Sequence, residues 1–308
     1  MTRREIKDMA ASVKSRLLAV SQGRGESFDL TLTSYALERL LYRLSQSPYR
    51  DRFVLKGAMV FAIWTKQPHR STRDLDLLGW GDSAVPSLEV VFREVCSCQV
   101  DNDGLQFLPE TVRGGDIREE QEYGGVRIHI QALLGKARIP IRINIGFGDA
   151  VTPEPEVMVF PTLLDFPAPV LSTYPREAVA AEKYHAIVVL GMTNSRMKDY
   201  YDLWVLASSF EFDGETLCKA FSATFKRRQT PMPEAIPVGL SDEFGHDSLK
   251  QSQWQAFIRK GKLTMGDRAF PEIVSAIRDF LMPPTLSAVE RLPLHKTWHP
   301  QGPWKSET

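Results

Sequence analysis

The sequence predicts an α+β protein: a mixed sheet flanked by helices, followed by a mainly helical C-terminal region. Three observations carry this. Between residues 53 and 147, short segments with the period-two alternation of strands are interleaved with helical spacing. Beyond residue 175 the apolar residues recur at helical spacing only, over 175–190, 194–208, 213–227, 251–259 and 269–281. Between the two, the stretch from Thr152 to Pro175 carries prolines at 153, 155, 161, 167, 169 and 175, which reads as a surface linker.

The elements follow in order. Residues 2–20 and 33–46 have helical spacing, with Ile6, Met9, Val13 and Leu17 in the first and Leu37, Leu40, Leu41 and Leu44 in the second, separated by the turn-rich SQGRGESFD. FVLKG from Phe53 is a short apolar run closed by Gly57; AMVFAIW has a helical look, and RDLDLLGW alternates as a strand. Residues 86–95 read as an amphipathic helix, and 124–131 and 139–147 as two strands joined through LLGKA. The expected organisation is an N-terminal helical cap over 1–48, a core over 49–165 and a helical domain over 166–308.

The totals set bounds. The 308 residues can bury one large or two modest cores. Lys plus Arg and Asp plus Glu both number 38, so any nucleic-acid surface must be local. Cys96, Cys98 and Cys218 fit neither a disulfide framework nor a common zinc spacing. The basic N-terminus lacks an apolar signal core, and no run of about 18 apolar residues exists. A cytoplasmic protein without a membrane partner is expected. The histidines form no H-E-x-x-H grouping, and G-x-S-x-G and P-loop signatures are missing, which disfavours metalloprotease, serine hydrolase and P-loop chemistry.

The sharpest chemical feature is Arg70-Ser-Thr-Arg-Asp-Leu-Asp-Leu77. On a strand, Asp74 and Asp76 share one face and Leu75 and Leu77 the other, with the carboxylates about 7 Å apart along the chain. Two hard anionic donors on a rigid element suit Mg²⁺ or Mn²⁺ together with substrate phosphate. The same pattern also serves as an ordinary solvated strand face. Its context favours chemistry: Arg70, Thr72 and Arg73 precede the carboxylates, and Lys56-Gly57 lies upstream at a strand-to-helix junction. There a glycine lets backbone N–H groups approach a phosphate, and the helix start favours anions.

Five motifs in order, Lys56-Gly57-Ala58, Arg70-x-Thr72-x-Asp74-Leu-Asp76-Leu, Ile143-Asn-Ile-Gly-Phe-Gly-Asp149, Ala181-Glu-Lys183-Tyr-His-Ala186 and Asn194-Ser-Arg196-Met-Lys-Asp199-Tyr-Tyr-Asp202-Leu, resemble those of the AbiEii/AbiGii-type nucleotidyltransferase toxins. The similarity runs from about residue 50 to residue 230. It implies a polymerase-beta-like nucleotidyltransferase fold joined to a helical domain, a nucleoside triphosphate (NTP) as substrate and Mg²⁺ on Asp74 and Asp76. It further implies a triphosphate contact from Lys183, completion of the site by Asp199, nucleotide contacts from Lys56, Gly57, Arg70, Thr72 and Arg196, the tRNA 3′ end as acceptor, and a cognate antitoxin acting as repressor or as kinase on Thr72.

The later motifs also have plainer readings. Lys183 lies on a helix whose Ala180, Tyr184, Ile187 and Val188 face the core, so its ammonium could reach a cleft or simply face water. Arg196, Asp199 and Asp202 share a helix face after an expected Asn194 or Ser195 N-cap, where acidic residues are stabilising in any protein. Two departures from the family pattern stand out: Asn144 where many relatives carry a third acidic residue, and Ala58 where they often have glycine. Asn144 cannot act as a general base, and Asp149, five residues on, is a candidate substitute. Lys226-Arg227-Arg228, Arg50 with Arg52, and Arg70 with Arg73 are local basic clusters that could hold RNA, although a basic helix end is also what the dipole favours. The leading reading is Mg²⁺-dependent transfer of a nucleoside monophosphate (NMP) to RNA. Modification of a protein and nucleotide binding without turnover are the alternatives.

Overall fold

Side-chain caps set the first two helices. In the computed structural model, which describes residues 8–65, 69–117, 124–263, 265–266 and 268–306, Asp8 caps helix α1 (Met9–Arg24) by accepting from the Ala11 N–H. Gly25 ends it in the left-handed region at φ 62°. Ser27 starts helix α2 (Phe28–Gln46) by accepting from the Leu30 N–H. The turn-rich break expected over residues 21–29 therefore contracts to three residues, 25–27, and the second helix begins well before residue 33.

Two compact units divide the chain: Met1–Gly148 with Glu156–Thr173, and Asp149–Pro155 with Tyr174–Thr308. The first is built on strands β1 (Phe53–Lys56), β2 (Asp74–Gly79), β3 (Leu105–Ile117), β4 (Gly125–Leu134), β5 (Ala137–Phe147), β6 (Glu156–Val159) and β7 (Val170–Thr173), with helices α3 (Val60–Thr65) and α4 (Val85–Cys96) between strands. The sheet order is β3-β4-β5-β2-β1-β7-β6. It is mixed: β2 runs parallel to β5 and β1 to β7, while the other pairs are antiparallel. Leu75, Leu77, Ile128, Ile130, Ile141, Ile143 and Ile145 are buried on one face of the central strands. Full burial of each contributes about 1.5–3 kcal/mol. Helix α2 packs on β5 and α4 on β3, and α2 is clipped to the turn before β3 by a buried cluster in which Asp103 accepts from Arg39 at 3.2 Å and Arg43 at 2.7 Å.

Two parts of this sheet run against the sequence reading. Strand β3 was not expected, because LQFLPETVRGGDI contains Pro109 and paired glycines. It is tolerated as an edge strand whose register with β4 shifts between Leu108 and Arg113. The proline-rich stretch read as a linker contains β6 and β7, which extend the sheet beside β1, with the prolines flanking the strands.

The second unit holds helices α5 (Arg176–Leu190), α6 (Met197–Ser209), α7 (Gly214–Arg227), α8 (Asp242–His246), α9 (Ser248–Gly261) and α10 (Phe270–Glu290). A small sheet of β8 (Phe212–Asp213), β9 (Lys296–Trp298) and β10 (Trp304–Ser306) accompanies them and was not anticipated. Helix α10 continues past the expected end at 281 through Pro283 and Pro284, because Leu281, Met282, Pro284 and Thr285 are buried and packing overrides the lost backbone bonds. Helix α6 starts at Met197, and Arg196 occupies the N-cap without a side-chain cap. Asn194 Oδ1 instead accepts from the Arg196 N–H at 2.8 Å, so neither Asn194 nor Ser195 is the cap. Among the described residues no helix is long and apolar enough to cross a membrane.

Candidate active site

Strand β2 turns Leu75 and Leu77 into the core, fully buried, and leaves Asp74 and Asp76 half-buried on the opposite face. Strand register extends this polar face into two rows. Lys56, Asp76, Asn144 and Arg127 line up across β1, β2, β5 and β4. Asp74, Arg142, His129 and Arg113 line up across β2, β5, β4 and β3. The first row is hydrogen-bonded: Arg127 Nε donates to Asn144 Oδ1 at 2.8 Å, and Asn144 Nδ2 donates to Asp76 Oδ1 at 2.9 Å. In the second, Arg142 Nη1 lies 3.3 Å from Asp74 Oδ1. That contact is an ion pair without hydrogen-bond alignment, and Asp74 Oδ1 is buried with no hydrogen-bond partner.

Gly57 sits directly against this pair. Its φ of 73° lies in the left-handed region, and a Cβ there would stand 2.9 Å from the Asp76 Cβ and Cγ. Only glycine allows both the turn after Lys56 and the carboxylate beside it. Thr72 braces the strand entrance, its hydroxyl donating to the Asp74 carbonyl at 3.1 Å and accepting from the Asp74 N–H at 3.4 Å. Arg73 turns away to Asp29 at 2.6 Å. Arg70 and Thr72 line a cavity of about 170 Å³ with Arg24, Glu38, Met59 and Leu163; Asp74 and Asp76 are not among its walls. Burial raises the Glu38 carboxyl there to about 7, against the opposing Leu163 N–H and Arg39 guanidinium.

The donor set fits one hard divalent cation. Two outward carboxylates, one with an oxygen lacking a hydrogen bond, are what Mg²⁺ accepts when water and phosphate supply its other ligands. Among the described residues no group of three or more His, Cys, Asp or Glu is arranged to hold a metal.

The other candidate residues form a separate cluster in the second unit. Lys183 of α5 reaches Asp199 Oδ1 at 2.8 Å and Asp202 Oδ2 at 2.7 Å, one turn apart on α6. Arg196 Nε reaches Asp199 Oδ2 at 2.7 Å. Both aspartates are fully buried. Burial alone would raise the Asp199 carboxyl, but the Lys183 ammonium and Arg196 guanidinium overcome it and hold the group below its usual range. Helix spacing in the sequence brought Arg196, Asp199 and Asp202 together; that Asp202 holds Lys183 as closely as Asp199 does emerges only from the packing of α5 on α6.

The basic triple divides. Lys226 and Arg227 are exposed at the end of α7, whereas Arg228 is partly buried and engaged with Asp149 at 3.3 Å, Glu182 at 3.9 Å and His185 Nδ1 at 3.3 Å. Asp149 lies beyond the end of β5 and is committed to Arg228. The residues that sequence reasoning did not place at the site are Arg127 and Arg142. Period-two alternation puts each on the polar face of its own strand, but which aspartate each one meets depends on strand register.

An outward carboxylate pair beside a glycine turn is the kind of arrangement that enzymes transferring nucleotides use. The chain belongs to the nucleotidyl transferase AbiEii toxin family of type IV toxin–antitoxin systems, whose model matches residues 39–276, and it is a nucleotidyltransferase. Solved structures similar to it include the Helicobacter pylori protein JHP933, 12% identical with a TM-score of 0.46 over 93% of this chain and 96% of that one. Another is an H. pylori protein described as a candidate nucleotidyltransferase, 15% identical with a TM-score of 0.47 over 87% of this chain and 100% of that one. No curated protein matches the chain.

Proposed function

We propose that this chain moves an NMP from an NTP to an RNA hydroxyl, with the tRNA 3′ end as acceptor, and that it acts as a cytoplasmic toxin neutralised by an antitoxin. The observation that carries the reading is the outward pair Asp74 and Asp76, with Asp74 Oδ1 buried and without a hydrogen bond. Asp74 and Asp76 would hold Mg²⁺, which when bound aligns the reacting phosphate and neutralises leaving charge. The acceptor oxygen bonds to the α-phosphorus as the bond to the bridging oxygen breaks; pyrophosphate leaves and the hydroxyl proton passes to solvent.

The protein groups divide the remaining work. Gly57 keeps backbone close to Asp76 and open to a phosphate, since any side chain there would displace the carboxylate. Thr72 fixes the direction in which β2 leaves its preceding loop. Lys183, fixed by ion pairs to Asp199 and Asp202, would contact the triphosphate, as the family resemblance implies. Asn144 carries no general base, so the reading assigns none to the protein.

The test is incubation with each α-labelled NTP and Mg²⁺ in the presence of total RNA or total protein. Label at the tRNA 3′ end, lost in Asp74→Ala, is the expected outcome. Label in protein alone would redirect the acceptor, and binding of NTP without pyrophosphate release from any acceptor would reject the enzymatic reading.

A further inference from the structure

The oxygens of the two β2 carboxylates are not equally available. Asn144 Oδ1 takes the Arg127 Nε–H, so the amide can only be oriented with its NH₂ toward Asp76. The flipped amide would set its NH₂ against the guanidinium and its oxygen against the carboxylate, losing both bonds. Asp76 Oδ1 is thereby engaged by a neutral donor, and Asp74 Oδ1 lies against the Arg142 guanidinium. The Arg142 contact is not a hydrogen bond, so Asp74 Oδ1 keeps an unmet lone pair, and Asp76 Oδ2 lies toward Gly57. On the β5 side of Asp76, where a second cation would need an anionic ligand, stand an NH₂ group and, behind it, the positive charge of Arg127.

We infer that this site takes one divalent cation and that Arg127 and Asn144 are positioning residues that exclude a second, the guanidinium supplying fixed positive charge in its place. The inference rests on Asp74 and Asp76 being the metal site, as proposed above. The reasoning is electrostatic. A divalent ion brought to the β5 side of Asp76 would meet a guanidinium at close range, and among the described residues no carboxylate is paired with Arg127 to offset it. A guanidinium stays protonated at any working pH and has no lone pair to offer a metal. The amide engages Asp76 Oδ1 and leaves Oδ2, beside Gly57, as the oxygen of that carboxylate open to a cation.

Crystals of the full chain grown with Mn²⁺ and a non-hydrolysable NTP analogue test this by counting anomalous peaks at the carboxylates. One peak is expected in the wild type and also in Asn144→Asp, where the new carboxylate is neutralised by Arg127. Two are expected in the double variant Arg127→Met with Asn144→Asp, which adds an anion and removes the cation. Two peaks in the wild type or in Asn144→Asp would overturn the inference, as would a single peak in a folded double variant. Should the double variant not fold, the first two counts decide. No peak in any form would instead overturn the assignment of Asp74 and Asp76 as the metal site, so the two failures are distinguishable.

Discussion

Asp74 and Asp76 stand on the outward face of a strand, half-buried, with Asp74 Oδ1 lacking a hydrogen bond and, among the described residues, one cation, Arg142, in direct contact. Asp199 and Asp202 lie on a helix with no exposure, and Lys183 and Arg196 are packed onto their oxygens. Both pairs are carboxylates at short spacing in the sequence, yet their surroundings are opposite. A pair left incomplete at the surface can take an incoming cation at little desolvation cost. A buried pair that meets its own cations fixes them in place, and losing one member strands a charge. Spacing alone does not tell these apart; exposure and unmet oxygens do.

Substitutions should separate the two pairs. In the first, Asp74→Ala is expected to lower nucleotidyl transfer about 10³-fold or more, equivalent to about 4 kcal/mol. Because Asp74 is partly exposed, the urea midpoint should barely move; a large stability loss would erase the contrast. In the second, Asp199→Ala leaves Lys183 and Arg196 without their shared partner, and the cost should be about 3–5 kcal/mol in urea unfolding. A change under about 1 kcal/mol would show that the buried pair does not act as argued.

A pH series sharpens the picture of the second unit. Burial, reinforced by Arg228, lowers His185 to about 4 from 6.5. Arg228 can only donate, so Nδ1 accepts from it and Nε2–H faces Thr230 Oγ1, the neutral tautomer. Above pH 6.5 the ring is neutral folded or unfolded. As pH falls from 6.5 towards 4 the unfolded chain takes up a proton that the folded chain refuses, so stability drops, by about 3 kcal/mol at the lower end. The stability advantage of wild type over His185→Gln should shrink across that window; a constant difference would contradict the neutral histidine.

Smaller effects follow. Gly57→Ala should cost about 1–3 kcal/mol from its left-handed φ of 73° and should also depress transfer by moving Asp76. Unchanged transfer would mean that the carboxylate tolerates displacement. Lys226→Ala with Arg227→Ala should reduce the salt dependence of RNA binding by a slope of at most about 2, and leave stability within about 0.5 kcal/mol. An unaltered slope would remove this helix end from the RNA surface.

Much of this was legible because the relevant signals are local. Alternation in RDLDLLGW and IPIRINIGF set the core and polar faces of β2 and β5, and Lys56-Gly57 marked the turn that the φ of Gly57 explains. What was not legible depends on pairing between distant segments. The glycines and Pro109 of β3 read as a loop, since nothing local reveals that its partner β4 lies beside it. The prolines around β6 and β7 masked two short strands that exist only because β1 offers an edge. At the site, Asn144 could be noticed as a departure, but its bonds to Asp76 and Arg127 follow from the register of three strands. The family resemblance covered the motifs and said nothing of the buried bond from Asp202 to Lys183.

The most direct test of the account uses isosteric changes, so that shape is kept and only charge is removed. Wild type, Asp74→Asn and Asp76→Asn, each confirmed folded by an unchanged unfolding midpoint, are supplied with labelled NTP, Mg²⁺ and tRNA, and 3′-end label is measured over time. Label accumulating with the wild type and absent with both variants is the expected result. Label appearing with either variant at the wild-type rate would contradict the claim that these two carboxylates carry the chemistry.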